Sequence, residues 1–304
     1  MWPIEAEGLT KIYKDKRRRS IVALENLDLQ IGQGEIFGFL GPNGAGKSTT
    51  IKTLVGQIRA TAGNARLFGV PVVDPAARRH IGYLPENPSF YDFLSGREYL
   101  TLVGRAFGMD NAAIESQADI VLELLDLRSA ERRPIRGYSK GMVQRLGLAQ
   151  TLLHDPDLYI LDEPMSGLDP VGRALVKQIM TDLKRRGKTV FFSTHVTADV
   201  EAVCDRVAVV VSGKLQKVSL VSDLLEEGIE GYVVHLVGCP ENLCERFETT
   251  LRHDNVREIF VPRGDFTRFM AEIARDGGEV QLMEPRRRNL EKFFLDIVQR
   301  HRPA

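Results

Sequence analysis

The sequence predicts an α/β protein, a parallel sheet covered on both faces, with an inserted helical subdomain and a small C-terminal α+β domain. Three observations carry this. Short apolar strands alternate with helical segments through residues 1–225, the pattern that βαβ units produce. Between about residues 88 and 157 the alternation stops and only helical spacing is present. Beyond residue 231 strands and helices alternate again. A chain of 304 residues suits two domains at roughly 100–200 residues each.

The elements follow in order. Ile4–Leu9 and Val22–Ile31 alternate roughly between apolar and polar positions, and the charged run Lys14–Arg19 between them reads as a hairpin tip. Glu35–Leu40 is a short apolar strand entering a glycine-rich turn. Ser48–Ile58 carries Ile51, Leu54, Val55 and Ile58 at helical spacing. Ser95–Leu127 reads as helical throughout and Gly141–Leu153 as a further helix. Leu158–Leu161 is a buried strand. A helix over about Val171–Arg185 precedes strands Val190–Ser193 and Arg206–Val211. Periodicity lapses at Glu226-Glu227-Gly228-Ile229-Glu230-Gly231, which reads as a linker over 226–231. The domain at 232–304 is expected to run strand 232–237, helix 241–251, strand 256–261, helix 266–275, strand 280–283 and helix 289–299.

Composition narrows the partners. The chain is 43% hydrophobic and 27% charged, with 41 Lys+Arg against 41 Asp+Glu. Zero net charge argues against binding long polyanions by overall field, so no nucleic-acid partner is expected. The C-terminal region hides no basic arm, because residues 231–304 hold twelve residues of each sign. Arg286-Arg287-Arg288 has no interleaved aromatics and reads as a solvated stretch. Cys204, Cys239 and Cys244 are too few for a disulfide framework, and the spacing of the last two suits neither a redox pair nor zinc. All three are expected to be reduced thiols. Acids at Glu5 and Glu7 stand where a secretory signal needs basic residues. The longest apolar runs, such as Val207–Val211, fall far short of the ~20 residues that span a bilayer, so no membrane insertion is expected.

Chemistry is concentrated in Gly41-Pro42-Asn43-Gly44-Ala45-Gly46-Lys47-Ser48, which matches G-x-x-x-x-G-K-[ST] between an apolar strand and a helix. Its glycines allow successive backbone N–H groups to curl around phosphate oxygens, and the helix N-terminus adds its positive end. Lys47 reaches phosphates as a point charge, and Ser48 offers a hydroxyl to Mg²⁺. Alone, this loop leaves kinases, G-proteins and motor ATPases open. Leu158-Tyr159-Ile160-Leu161-Asp162-Glu163 narrows the choice. A buried strand there delivers one acid to a magnesium water and a second to polarise the attacking water.

Tyr138-Ser139-Lys140-Gly141-Met142 lies between these two elements, and Ser166-Gly167-Leu168-Asp169 and Ser193-Thr194-His195 follow them. This order resembles the ATP-binding cassette (ABC) transporter ATPases over residues 4 to about 225. The resemblance implies a P-loop NTPase cassette that binds ATP and Mg²⁺ and hydrolyses ATP. It implies that Tyr13 stacks on adenine, although a hairpin aromatic covering the core edge explains the same residue. Lys47, Ser48 and Thr49 would line phosphate and metal, with Gly41 to Gly46 forming the loop. Asp162 would hold Mg²⁺ and Glu163 would activate water. His195, 32 residues after Glu163, would contact the γ-phosphate with support from Asp169.

Two positions depart from the family's usual form. Its signature is commonly Leu-Ser-Gly-Gly-Gln, whereas Tyr138–Met142 replaces three of the five residues. The Ser139 hydroxyl, the Gly141 backbone and the following helix N-terminus survive. Glu86 stands where a glutamine is usual, and a carboxylate is also a competent magnesium ligand. Both departures resemble the exporter branch whose membrane subunits are separate proteins, a branch that often carries a small C-terminal domain. One copy of each motif implies a homodimer closing on ATP, because phosphate loop and signature from two subunits share each nucleotide in the family. The expected setting is cytoplasmic, on the inner face of the cell membrane, with coupling through a groove around Glu86–Tyr91. An importer ATPase or a soluble non-transport ABC ATPase remains the alternative. Against the latter, only 90 residues separate Lys47 from Tyr138, with no sustained heptads for a coiled coil.

Overall fold

The computed structural model describes residues 1–14, 19–227, 229–238, 241–252, 256–287 and 290–300. The hairpin tip expected at Lys14–Arg19 lies in part outside them. The chain divides into two compact units, one holding Met1–Val221 together with the segment from Ile297 onward, the other Ser222–Asp296.

The first unit opens with strands β1 (Ile4–Lys14), β2 (Ser20–Ile31) and β3 (Ile36–Leu40), then helix α1 (Lys47–Leu54). Strands β4 (Ala62–Leu67), β5 (Val70–Pro71) and β6 (Ile81–Leu84) follow. Next come helices α2 (Gly96–Ala106), α3 (Asn111–Leu124) and α4 (Lys140–Leu152). The unit closes with β7 (Leu158–Asp162), α5 (Pro170–Arg185), β8 (Thr189–Thr194), α6 (Thr197–Val203), β9 (Arg206–Val211) and β10 (Lys214–Leu220).

Its central sheet runs β10-β9-β3-β8-β7-β6, parallel except for the antiparallel edge strand β10. Every residue of β3, β7 and β8 is buried, as strands covered on both faces require. Side-chain alternation divides the core. Phe37, Phe39, Ile160 and Phe191 face α1 and a second, antiparallel sheet ordered β2-β1-β4-β5. Ile36, Tyr159, Leu161, Val190 and Phe192 face the other way, with Leu148 of α4 and Val176, Ile179 and Leu183 of α5. Each fully buried Phe stabilises this arrangement by roughly 1.5–3 kcal/mol before entropy is counted.

Several elements differ from the sequence reading, each for a local reason. The helical stretch from Ser95 to Leu127 is two helices, because Asp110 caps α3 afresh by accepting from Ala113 N at 2.8 Å. Strands β4, β5, β6 and β10 carry no apolar run long enough to announce them. They are held by pairing with β1, β4, β7 and β9 respectively.

The second unit begins with α7 (Val221–Glu227), β11 (Ile229–Val237), α8 (Glu241–Arg246) and β12 (Glu248–Leu251). It continues with β13 (Val256–Pro262), α9 (Phe266–Asp276), β14 (Glu279–Arg287) and α10 (Leu290–Arg300). Its antiparallel sheet is ordered β12-β13-β11-β14, the split βαβ plan, with Val234, Leu236, Ile259 and Val261 packed on Leu243, Phe269 and Ile273. The described residues of the expected linker, 226–231, are instead the end of α7 and the start of β11. Gly231 pairs with both Pro262 and Arg286, a long-range fact that local composition does not carry. The helix expected over 241–251 stops at Arg246. The β-branched pair Thr249 and Thr250 joins β13, and Thr249 Oγ1 donates to Cys244 O and Phe247 O. Cysteine chemistry also needs correcting: Cys204 is a free, partly buried thiol, whereas Cys244 is disulfide-bonded. Cys239 lies outside the described residues. Among the described residues, no helix is long and apolar enough to cross a membrane.

Candidate functional site

β3, β7 and β8 are neighbours in one parallel sheet, so their carboxyl ends converge. The turn after β3 brings Gly41–Ser48, β7 ends in Asp162 with Glu163 next, and β8 leads into His195. The loop's conformation is forced by its residues. Gly46 sits at φ 101°, and a β-carbon there would lie 2.5 Å from Ala23 O. Only glycine fits that combination of left-handed backbone and close approach.

The loop borders a cavity of about 330 Å³ lined by Ala23, Asn43, Gly44, Ala45, Gly46, Lys47, Ser48, Thr49, Glu86 and Glu163. Lys47 Nζ donates to Gly41 O at 2.8 Å and Pro42 O at 3.3 Å, and stands 3.3 Å from Glu163 Oε1. The two side chains are only 6% and 11% exposed, so their attraction is weakly screened. Glu163 holds φ 48°, a left-handed backbone that costs a non-glycine residue of order 1–3 kcal/mol. Ser193 helps to hold it. Its Oγ accepts from Glu163 N at 3.0 Å and donates to Asp162 Oδ1 at 2.6 Å, bridging two strands.

Asp162 is buried, and burial pushes its carboxyl above the usual range, with the Glu163 charge adding to the rise. Hydrogen bonds from Ser193 and Ser48 and the Lys47 charge oppose this. His195 Nδ1 lies 3.1 Å from both Glu163 carboxylate oxygens, so that nitrogen carries the proton and Nε2 faces outward; the ring is 51% exposed.

The structure therefore gathers the residues from Gly41 to Thr49 with Glu86, Asp162, Glu163 and His195. It does not gather the rest. Tyr13 on β1 is 38% exposed, lies beneath Lys11 Nζ at 5.1 Å and does not line the cavity. Ser139, Lys140, Gly141 and Met142 form the start of α4 outside the cavity, where Ser139 Oγ accepts from Met142 N at 3.3 Å. Asp169 makes no hydrogen bond to His195 in this structure. Its Oδ1 accepts from Gly172 N at 2.9 Å and caps α5, while Glu163 holds the imidazole. The sequence reading missed Ser193 as a bridge and the buried Gln144, whose Nε2 donates to Pro164 O at 3.2 Å. Only their place beside Glu163 in the fold marks them.

A phosphate-cradling loop, a lysine and two strand-end acids on a parallel sheet define a nucleoside-triphosphate-hydrolysing fold. The family model described as "ABC transporter" matches residues 24–166. An uncharacterised ABC transporter ATP-binding protein of Synechocystis sp. is 38% identical over 96% of this chain and 83% of its own length. A Nod factor export ATP-binding protein of Cupriavidus metallidurans is 32% identical over 98% of this chain and 97% of its own length. A solved ATP-binding subunit of an ABC transporter aligns with a TM-score of 0.67 and 30% identity, covering 73% of this chain and 91% of that one. The chain belongs to the ABC transporter ATP-binding proteins, as an ATP-binding, ATP-hydrolysing subunit.

Proposed function

We propose that the chain powers an exporter, closing as a homodimer on two ATP molecules and passing that motion to separate membrane-spanning subunits. The observation that carries this is the cavity's incompleteness. Its wall is built from residues 43–49, Glu86 and Glu163, whereas Ser139–Met142 contribute nothing to it. A second subunit's signature segment supplies the missing wall. Nucleotide then binds the closed pair more tightly than the open one, the differential affinity that a switch requires. Export is supported by the likeness to a Nod factor export protein along nearly its whole length. A cytoplasmic position on the inner membrane face and a regulatory or contact role for the C-terminal unit complete the reading.

The roles within the site follow from the geometry. Beyond Pro42, which has no N–H, the loop's glycines Gly44 and Gly46 turn backbone N–H groups to phosphate, and Lys47 leaves Glu163 to pair with it. Tyr13, on the antiparallel sheet, stacks on adenine. The Ser48 hydroxyl, hydrogen-bonded to Asp162, and the Glu86 carboxylate on the same cavity are hard oxygen donors. This set suits magnesium, which keeps waters and takes further oxygens from substrate phosphates. Bound there, the ion would neutralise charge developing on the transferred phosphoryl group. Glu163 takes the proton of the attacking water, and His195, held by Glu163 through Nδ1, turns Nε2 toward the γ-phosphate. Asp169 holds the loop preceding α5.

Replacing the base while keeping its shape tests the reading. Glu163→Gln should lower ATP turnover by at least 10²-fold and give a stable dimer in ATP by size-exclusion chromatography. A persistent monomer with normal hydrolysis would overturn it.

A further inference from the structure

The signature segment and the catalytic carboxylate are joined within one subunit by contacts that their sequence separation conceals. Helix α4 covers the loop that follows Glu163 at two points. Near Glu163, the buried Gln144 donates through Nε2 to Pro164 O at 3.2 Å. Farther on, the side chain of Lys140 lies against Gly167. A β-carbon at Gly167 would sit 2.7 Å from Lys140 Cε, 3.1 Å from Cδ and 3.2 Å from Nζ. Met142 and Leu168 pack on the same apolar cluster. The loop itself is a stiff stack of turns, with Ser166 N donating to Glu163 O at 3.0 Å and Leu168 N to Met165 O at 3.4 Å. Glu163 stands at its start in a left-handed conformation that only its surroundings maintain.

We propose that Lys140 is a positioning residue whose aliphatic stem, laid over Gly167, ties the signature helix to the loop bearing Glu163. A phosphate engaging the signature of one subunit thereby sets the carboxylate of that same subunit's own site. The stem carries the effect. The ammonium has no hydrogen bond or ion pair among the described residues, and a β-carbon placed on Gly167 would come nearest to Cε. Lysine at this position thus replaces a backbone-only signature residue with a side chain that senses the loop. The proposal rests on the two-subunit reading above, because a signature that met no second nucleotide would transmit nothing.

The test uses the full chain and reads two quantities separately. ATP-driven dimerisation is measured by sizing with Glu163→Gln present, and turnover against ATP concentration is measured with Glu163 intact. In Lys140→Ala the fold-loss in kcat should exceed any fold-rise in the ATP concentration that drives dimerisation. Its kcat should fall about tenfold, the scale of a slightly misplaced reacting group, and its Hill coefficient should approach one. Lys140→Met keeps the stem without the charge and should restore the cooperativity that Lys140→Ala loses.

Lys140→Ala with unchanged kcat and Hill coefficient would overturn the proposal. So would Lys140→Met behaving like Lys140→Ala, which would assign the role to the charge. A kcat loss no larger than the rise in ATP needed for dimerisation would also overturn it, by making Lys140 a nucleotide contact alone. If the Glu163→Gln parent itself stays monomeric in ATP, the two-subunit reading falls and takes this proposal with it.

Discussion

Asp162 and Glu163 are adjacent in sequence yet occupy opposite surroundings. Asp162 ends a fully buried strand and is tied to Ser193, whereas Glu163 turns through a left-handed backbone to meet Lys47 and His195. Their identity as a pair was legible, because an apolar strand ending in two acids after a phosphate loop has few other uses. The strain at Glu163 and the Ser193 bridge were not, since both depend on β8 lying beside β7. His154 makes the same point away from the site. Its Nε2 donates to Ile81 O at 3.1 Å, its ring stacks on Phe107 with centroids 3.7 Å apart, and its Nδ1 is buried without a partner. Burial pushes its pKa below the ordinary histidine value, outweighing the Ile81 carbonyl and Asp155; Lys188 adds to the depression. The unfolded chain therefore binds the proton more readily. Stability should be complete above the ordinary value of about 6.5 and fall as pH drops below it toward the folded pKa. His154→Phe should melt with a shallower pH slope between pH 7.5 and 5.5, and an identical slope would contradict this account.

Among the elements, helices with polar caps and strands with unbroken apolar runs could be read from local pattern, and β3, β7, β8 and β9 are of that kind. β4 and β10 could not, because pairing rather than composition defines them. The helical insert shows both cases. Ser95 begins α2 through a complete capping box with Glu98, whose carboxylate accepts from Ser95 N at 2.8 Å while Ser95 Oγ accepts from Glu98 N at 3.3 Å. Ser95→Ala should cost about 1 kcal/mol and lower the melting temperature of a unit this size by roughly 2–4 °C. ATP affinity should be unchanged, because Ser95 does not touch the phosphate cavity. Thermal melting beside a nucleotide titration checks both halves. The signature variant also belongs to this scale. Written as residues, Tyr138–Met142 is a departure from the family's usual form. Written as structure, Ser139 remains an ordinary cap for α4 and Lys140 gains a contact with Gly167.

At the scale of the molecule, the apolar clusters among the described residues follow the two compact units, two clusters in the first and one in the second. The existence of a second domain was visible in the renewed alternation of strands and helices. Its boundary was obscured by a run of glutamates and glycines whose described residues belong to α7 and β11. Calorimetry of the Glu163→Gln chain should resolve two transitions, of which nucleotide raises only one. At a free ATP concentration a hundred times Kd, the shift should correspond to about 2.7 kcal/mol. Equal shifts in both transitions would mean that the units unfold as one. Zero net charge fits such a molecule, because the proposed hold on one triphosphate, through Lys47 and a ring of backbone N–H groups, is local and the total does not reveal it.

The pairing of β3 has a consequence in time. Its hydrogen-bonded neighbours are β8, beginning at Thr189, and β9, beginning at Arg206. A chain growing at about 5–20 residues per second therefore carries its phosphate loop for roughly 8–30 seconds before the first of those neighbours has been synthesised. Through that interval the apolar run Ile36–Leu40 has no sheet to enter, and nucleotide has no site to stabilise. ATP thus arrives too late to guide the early folding of this protein, and protection of the waiting strand falls to whatever meets the nascent chain first.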